Sequence, residues 1–158
     1  MQKIATNCYL INSNGHILLA MKKRGFGVGK WNGSGGKVQS GETPEITAVR
    51  EVKEEIGVGV DPRDLVKIGE VSYRNPDPSW GMYVHIYIVR NWSGEPIETE
   101  EMKPQWFDPN EVLELPAWSD FKYLFPKIIS QEKFKAEFVY TSDGNTVTSY
   151  VINDALSF

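Results

Sequence analysis

Apolar residues recur along this chain in short runs, and their spacing changes from one segment to the next. Residues 3–12 and 16–22 are apolar runs separated by Ser13-Asn14-Gly15. Two such runs around an Asn-Gly pair predict a β-hairpin. From residue 43 the period lengthens: Ile46, Val49, Val52 and Ile56 fall on one stripe at helical spacing and are expected to face a core. Thr43 as N-cap, Pro44 at the first helical position and Glu45 in the first turn mark a start. Gly57 marks a stop. The helix is therefore predicted over residues 43–57. Strands are predicted at 67–75 and 82–91, around a turn containing Pro76, Asp77 and Pro78. A short strand at 103–107 and a short helix from 108 follow. Residues 119–130 read as a helix whose regularity Pro126 limits. A final hairpin joins 134–140 to 146–152 across Asp143-Gly144-Asn145. The whole is a mixed α/β domain over residues 1–158.

Composition narrows the function classes. At 158 residues and 41% hydrophobic, the chain is long enough for one good core. Its net charge of −4 gives no electrostatic footprint for duplex nucleic acid. No run resembles a signal peptide or a membrane span. A single cysteine, Cys8, excludes an intramolecular disulfide and suits a reducing, cytoplasmic compartment. His16 and His85 lack any zinc-site pattern and are expected on a strand or at the surface.

The chemistry concentrates between Gly36 and Val58. Gly36 is followed after five residues by Glu42, and after seven more by Arg50-Glu51, Val52, Glu54-Glu55 and Gly57-Val58. On a helix, Glu51, Glu54 and Glu55 are expected to fan across the face opposite the apolar stripe. Glu51 and Glu55 lie one turn apart, so their carboxylates project together and repel unless a cation sits between them. Hard oxygen donors at this spacing suit Mg²⁺ or Mn²⁺. Arg50 and Glu54 stand four apart and could pair. An ordinary solvated acidic face would also account for three glutamates alone. The preceding Gly33-Ser34-Gly35-Gly36-Lys37-Val38 favours the metal reading, because glycines let backbone groups approach a metal or phosphate closely.

This spacing fills every specified position of the Nudix box, G-x5-E-x7-R-E-U-x-E-E-x-G-U with U aliphatic, and the chain resembles the Nudix hydrolases. The likeness extends to residues 21–33, 100–107, 118–126 and the C-terminal hairpin, which look like those of the animal oxidised purine nucleoside triphosphate hydrolases. The resemblance implies an α/β/α sandwich with a mixed sheet. It implies metal ligation by the Gly35 carbonyl, Glu51 and Glu55, with Glu54 nearby. Glu101 matches a position that supplies an extra ligand or base in relatives, with Glu100 competing. Which carboxylate polarises the attacking water stays open. The implied reaction is Mg²⁺-dependent hydrolysis of a damaged purine triphosphate, such as 8-oxo-dGTP or 2-hydroxy-dATP, to monophosphate and pyrophosphate. A monomer is expected.

The resemblance also implies a base pocket. The purine stacks on Trp118 and is read by Asn32 and Asp120, with Phe26 lining the pocket and Asn7 facing it. Where the relatives carry a second acid, this chain has Phe121, which is expected to offer only an apolar surface there. Lys22-Lys23-Arg24 could hold a polyphosphate or be a solvated strand end. Gly25-Phe26-Gly27-Val28-Gly29 is not a dinucleotide motif, since neither a helix pattern nor the required acid follows. Three alternatives compete: a Nudix hydrolase for another nucleoside diphosphate derivative or a capped RNA end, an isoprenoid diphosphate isomerase, and a non-catalytic nucleotide-binding module. The isomerase would need a catalytic cysteine, and Cys8 has no evident acid partner. The binding module would be expected to lose box glutamates, and none is lost.

Overall fold

The computed structural model describes residues 2–158. In chain order the elements are β1 (Lys3–Leu10), β2 (Ile17–Lys22), β3 (Trp31–Asn32), α1 (Pro44–Ile56), β4 (Leu65–Arg74), β5 (Gly81–Val89), β6 (Met102–Phe107), α2 (Phe121–Ser130), β7 (Phe134–Tyr140) and β8 (Val147–Asp154). Short 3₁₀ turns at Pro62–Asp64 and Pro109–Glu114 link them. A five-stranded sheet runs β1-β5-β4-β7-β8, and a three-stranded sheet runs β3-β2-β6. The larger sheet is mixed: β1 lies parallel to β5 and β4 parallel to β7, while β4–β5 and β7–β8 are antiparallel.

The first predicted hairpin forms only its turn. Asn12 N–H donates to the His16 carbonyl at 3.0 Å, and Ile11 bridges Ile17. Beyond the turn the strands part, and β2 joins β3 and β6 instead. The reason lies on the free edge of β1, which the glycine loop occupies. Thr6 N–H donates to the Gly36 carbonyl at 2.9 Å, Cys8 N–H to the Ser34 carbonyl at 2.7 Å, and Val38 N–H to the Ile4 carbonyl at 2.9 Å. The C-terminal hairpin and the β4–β5 pair form as predicted. The two-residue strand β3 escapes sequence reading, because so short a segment has no period.

Alternation along β1 sorts the core into two layers. Cys8 and Leu10 pack with Leu18, Ala20 and with Ala48, Val52 and Ile56 of α1. Tyr9 and Ile11 pack the other way, with Ile17, Leu19 and with Phe121, Leu124, Phe125 and Ile128 of α2. The two helices therefore cover opposite faces, as an α/β/α sandwich requires. Full burial of Val52 and Ile56 contributes about 1.5–3 kcal/mol each before entropy is counted. Helix α2 continues through Pro126 without a break. No helix among the described residues is long and apolar enough to cross a membrane.

Candidate active site

Helix α1 begins where Thr43 accepts the Ile46 N–H at 3.2 Å, and it ends where Gly57, at φ 75°, donates its N–H to the Lys53 carbonyl. Its buried side differs from the predicted stripe. Ile46 is 48% exposed, while Ala48, Val52 and Ile56 are fully buried and Val49 packs partly against them. The first turn is anchored by a polar contact instead, the Tyr87 hydroxyl donating to Glu45 at 3.0 Å.

The glutamates do not all lie on the face opposite the buried one, as expected. Glu55 is only 2% exposed. Its Oε1 accepts the Gly35 N–H at 2.7 Å. Burial pushes its carboxyl up to about 8; the Gly35 N–H and Lys22 oppose this, and the charges of Glu51 and Glu101 add to it. Glu51 is also raised, first by burial, with Arg50 opposing and Glu54 and Glu101 adding. Glu54 is the exposed member, tied to Arg50 at 3.2 Å. Arg50 forms the hub. It reaches Glu42 at 2.7 and 2.9 Å and Glu51 at 2.7 Å. Its guanidinium holds the Glu42 carboxyl down at about 2. The Arg50–Glu54 pair is thus the longest of its carboxylate contacts.

Two glycines make this crowding possible. A Cβ on Gly35 would stand 1.8 Å from the Thr6 carbonyl oxygen, so only glycine lets the loop lie along β1. A Cβ on Gly36 would stand 2.4 Å from Glu51 Oε1, in the space that this carboxylate takes. Among the described residues the Ser34 and Gly36 carbonyls are engaged by β1, and that of Gly35 is not.

The loop before β6 closes the site from the other side. The Thr99 hydroxyl donates to the Glu55 carbonyl at 2.8 Å, and Lys23 N–H to the Glu101 carbonyl at 2.8 Å. Glu101 thereby stands where its charge is felt at Glu51 and Glu55. Glu100 points outward, its side chain 88% exposed. Sequence reading missed Thr99, which carries no motif. Of the basic cluster, Lys23 pairs with Glu98 at 2.6 Å and Arg24 with Glu100 and Glu101 at 3.5 and 3.4 Å. Lys22 is the member whose charge reaches Glu55.

Among the described residues no three Asp, Glu, His or Cys side chains stand close enough to cage a metal ion unaided. The donor set still fits a hard divalent ion. Such an ion commonly takes one or two carboxylates, waters and substrate phosphates rather than a full protein cage. Glu55 is buried and Glu51 half-buried; burial raises both carboxyls, the charge of Glu51 adds to the rise at Glu55, and a cation relieves both burdens at once.

A second polar cluster lies on the other face of β1. Asn7, Tyr9 and Asn32 form a hydrogen-bonded group, with Tyr9 O–H donating to Asn32 Oδ1 at 2.7 Å. Asp120 is 5% exposed and accepts the Tyr73 hydroxyl at 2.7 Å and the Tyr140 hydroxyl on its other oxygen. Burial raises its carboxyl and the two tyrosines oppose that shift. Trp31 N–H donates to the Pro116 carbonyl at 2.8 Å, which ties β3 to the segment bearing Trp118. Lys30 Nζ sits 4.7 Å over the Trp118 ring, and Phe26, 81% exposed, tilts against it at 4.9 Å. Phe121 is 5% exposed and packs mainly on Phe125 in the core, while its remaining surface lines a cavity beside Ala117 and Trp118. Cys8 is buried, which pushes its thiol up to about 12 and leaves it inert as a nucleophile. The tyrosines at 9, 73 and 140 were not legible as site residues, since each reads as an ordinary strand aromatic.

Residues 1–128 match the family model for the NUDIX domain. The chain is 44% identical over 142 residues to an oxidized purine nucleoside triphosphate hydrolase of Mus musculus, covering 90% of this chain and 89% of the relative. It is 45% identical over 131 residues to the Danio rerio enzyme of the same name, covering 83% of each. Among solved structures, a mutator MutT protein of Bacillus halodurans superposes with a TM-score of 0.84 at 28% identity, over 96% of this chain and 97% of that one. A family match over residues 1–128, which contain the whole box and the helix α1 that carries its glutamates, makes this protein a member of the Nudix family.

Proposed function

We propose that this protein is a Mg²⁺-dependent pyrophosphohydrolase that removes oxidised purine nucleoside triphosphates from the nucleotide pool. Mn²⁺ would substitute. The observation that carries the reading is the placement of Glu55 and Glu51 against the Gly35-Gly36 loop, within reach of the charge of Glu101 and with every box glutamate retained. The names of the Mus musculus and Danio rerio relatives support the substrate class. When bound, the metal would lower the pKa of the attacking water and neutralise phosphate oxygens.

This chain's own residues supply the rest. Glu55, Glu51 and the Gly35 carbonyl would hold the ion. Arg50 holds the Glu51 carboxylate in place, and the Gly35 N–H orients that of Glu55. Lys22 offers positive charge to the polyphosphate. Glu101 and Glu54 are the carboxylates left to take the water's proton. Trp118 stacks the base while Asn32 reads it, and Asp120 stands behind them. Water adds at phosphorus, the bridging oxygen leaves with pyrophosphate, and nucleoside monophosphate remains. The lone buried cysteine supports action in a reducing, cytoplasmic compartment.

The test is a panel of normal and oxidised nucleotides assayed for pyrophosphate release, with Mg²⁺ and with chelator. Oxidised purine triphosphates should exceed dGTP and dATP in kcat/KM by about tenfold or more, with no turnover in chelator. Turnover only of nucleoside diphosphate derivatives or capped RNA would overturn the assignment.

A further inference from the structure

Asn32 is held in one orientation. Its Oδ1 accepts the Gly33 backbone N–H at 2.9 Å. A backbone amide can only donate, so this contact fixes which end of the carboxamide is oxygen. Two more donors reach the same atom, Asn7 Nδ2 at 2.9 Å and the Tyr9 hydroxyl at 2.7 Å. Asn7 Nδ2 also donates to the Tyr9 oxygen at 3.0 Å. The Tyr9 hydroxyl therefore receives one hydrogen bond and gives its proton to Asn32. Tyr9 is 1% exposed and packed in the core, so it cannot swing away.

With its oxygen saturated, Asn32 has only its two N–H groups to offer. Nδ2 has no partner among the described residues and is not a buried, unsatisfied atom. It faces the accessible side. Asp120 lies near enough for its charge to be felt at Tyr9. Tyr73 and Tyr140 hold its carboxyl group from both oxygens. The wall thus sets a fixed donor pair beside a fixed acidic group.

We propose that Tyr9 is a positioning residue that locks Asn32 as a donor, and that this commits the pocket to 6-oxo purines over 6-amino purines. The proposal rests on the hydrolase reading above. A keto oxygen has two lone pairs and suits the two N–H groups of one carboxamide, and the neighbouring ring N–H and amino group of a guanine-type edge suit an acidic acceptor. A 6-amino group at the same place would set N–H against N–H and leave donors unpaired, which a desolvated pocket penalises. Bound triphosphate fixes which way round the base enters, so the base cannot turn over to escape the mismatch.

Tyr9→Phe keeps the ring and deletes the proton that Asn32 accepts. Asn32→Asp keeps the oxygen that takes three donors and turns the outward donor into an acceptor. kcat and KM for 8-oxo-dGTP and 2-hydroxy-dATP, with pyrophosphate as product, should be measured beside thermal melting. The parent should favour 8-oxo-dGTP. Tyr9→Phe should raise KM for 8-oxo-dGTP about fivefold to tenfold, hold kcat within about twofold, and narrow the preference. Asn32→Asp should reverse it. A parent that favours 2-hydroxy-dATP overturns the proposal, as does a folded Tyr9→Phe with the parent's KM and ranking. If Tyr9→Phe does not fold, an Asn32→Asp variant that keeps the parent's ranking does the same. In all these cases the hydrolase reading stands; no pyrophosphate from either substrate would overturn both.

Discussion

Glu55 occupies a position that an isolated helix would give to an apolar side chain. It lies between Val52 and Ile56 on the buried side of α1, and what it gains there is one backbone N–H and two acidic neighbours. A carboxylate so placed is poorly solvated and is stabilised by a cation. Glu55→Gln should therefore lower turnover about a hundredfold or more while metal-free stability holds or rises. Hydrolysis and melting measured on the same sample check this, and near-normal turnover in a folded variant would refute the role of Glu55. Trp118 makes a different kind of contribution, because stacking acts on substrate and transition state alike. Trp118→Ala should raise KM about tenfold and change kcat far less. An unchanged KM across the oxidised nucleotides would move the base site elsewhere.

At the scale of elements, the loop from Gly33 to Val38 acts as a ninth strand in all but length. It zips along β1, and this is why β2 must leave for another sheet. The two glycines in it answer different demands and should fail differently. Gly35→Ala drives a methyl into the Thr6 backbone, which cannot give way, and should destabilise by about 3 kcal/mol or more. Gly36→Ala meets only the Glu51 carboxylate, which can rotate. It should leave melting nearly unchanged and lower turnover at least tenfold, by displacing a candidate ligand. Chemical unfolding and steady-state kinetics separate the two. Equal losses of stability would refute the distinction.

For the whole molecule, Glu55 in α1 and Glu42 in the turn ahead of it give opposite pH dependence. Glu55 has a folded value near 8 against 4.5 for the free group, so the metal-free fold binds the extra proton between those values. Stability from this group is greatest below 4.5 and falls as pH rises toward 8. Glu42, held near 2 by Arg50, works the other way: its contribution is complete above 4.5 and disappears as pH falls toward 2. In chelator, Tm should decline by about 5 °C between pH 5.5 and 8.5, and Mg²⁺ should restore much of it. Glu55→Gln should flatten that decline. An unaltered profile in this variant would show that another group is responsible.

The sequence by itself determined the elements whose cause is local. Thr43, Pro44 and Gly57 set the ends of α1 through capping, and the turn residues at 76–78 and 143–145 placed β4, β5, β7 and β8 on either side to within a few residues. It also determined the box, because spacing on one helix is a local property. Tertiary structure alone decided where β2 pairs, since that depends on which segment reaches the edge of β1 first. It decided that Ile46 faces water while Glu55 is buried, because the buried arc of a helix is set by what packs against it. It turned Phe121 into the core and gathered Tyr9, Tyr73 and Tyr140, distant in sequence, around Asn32 and Asp120. A hydrogen bond between strands leaves no spacing in the chain, so the polarity of the base pocket could be read only once the strands were side by side.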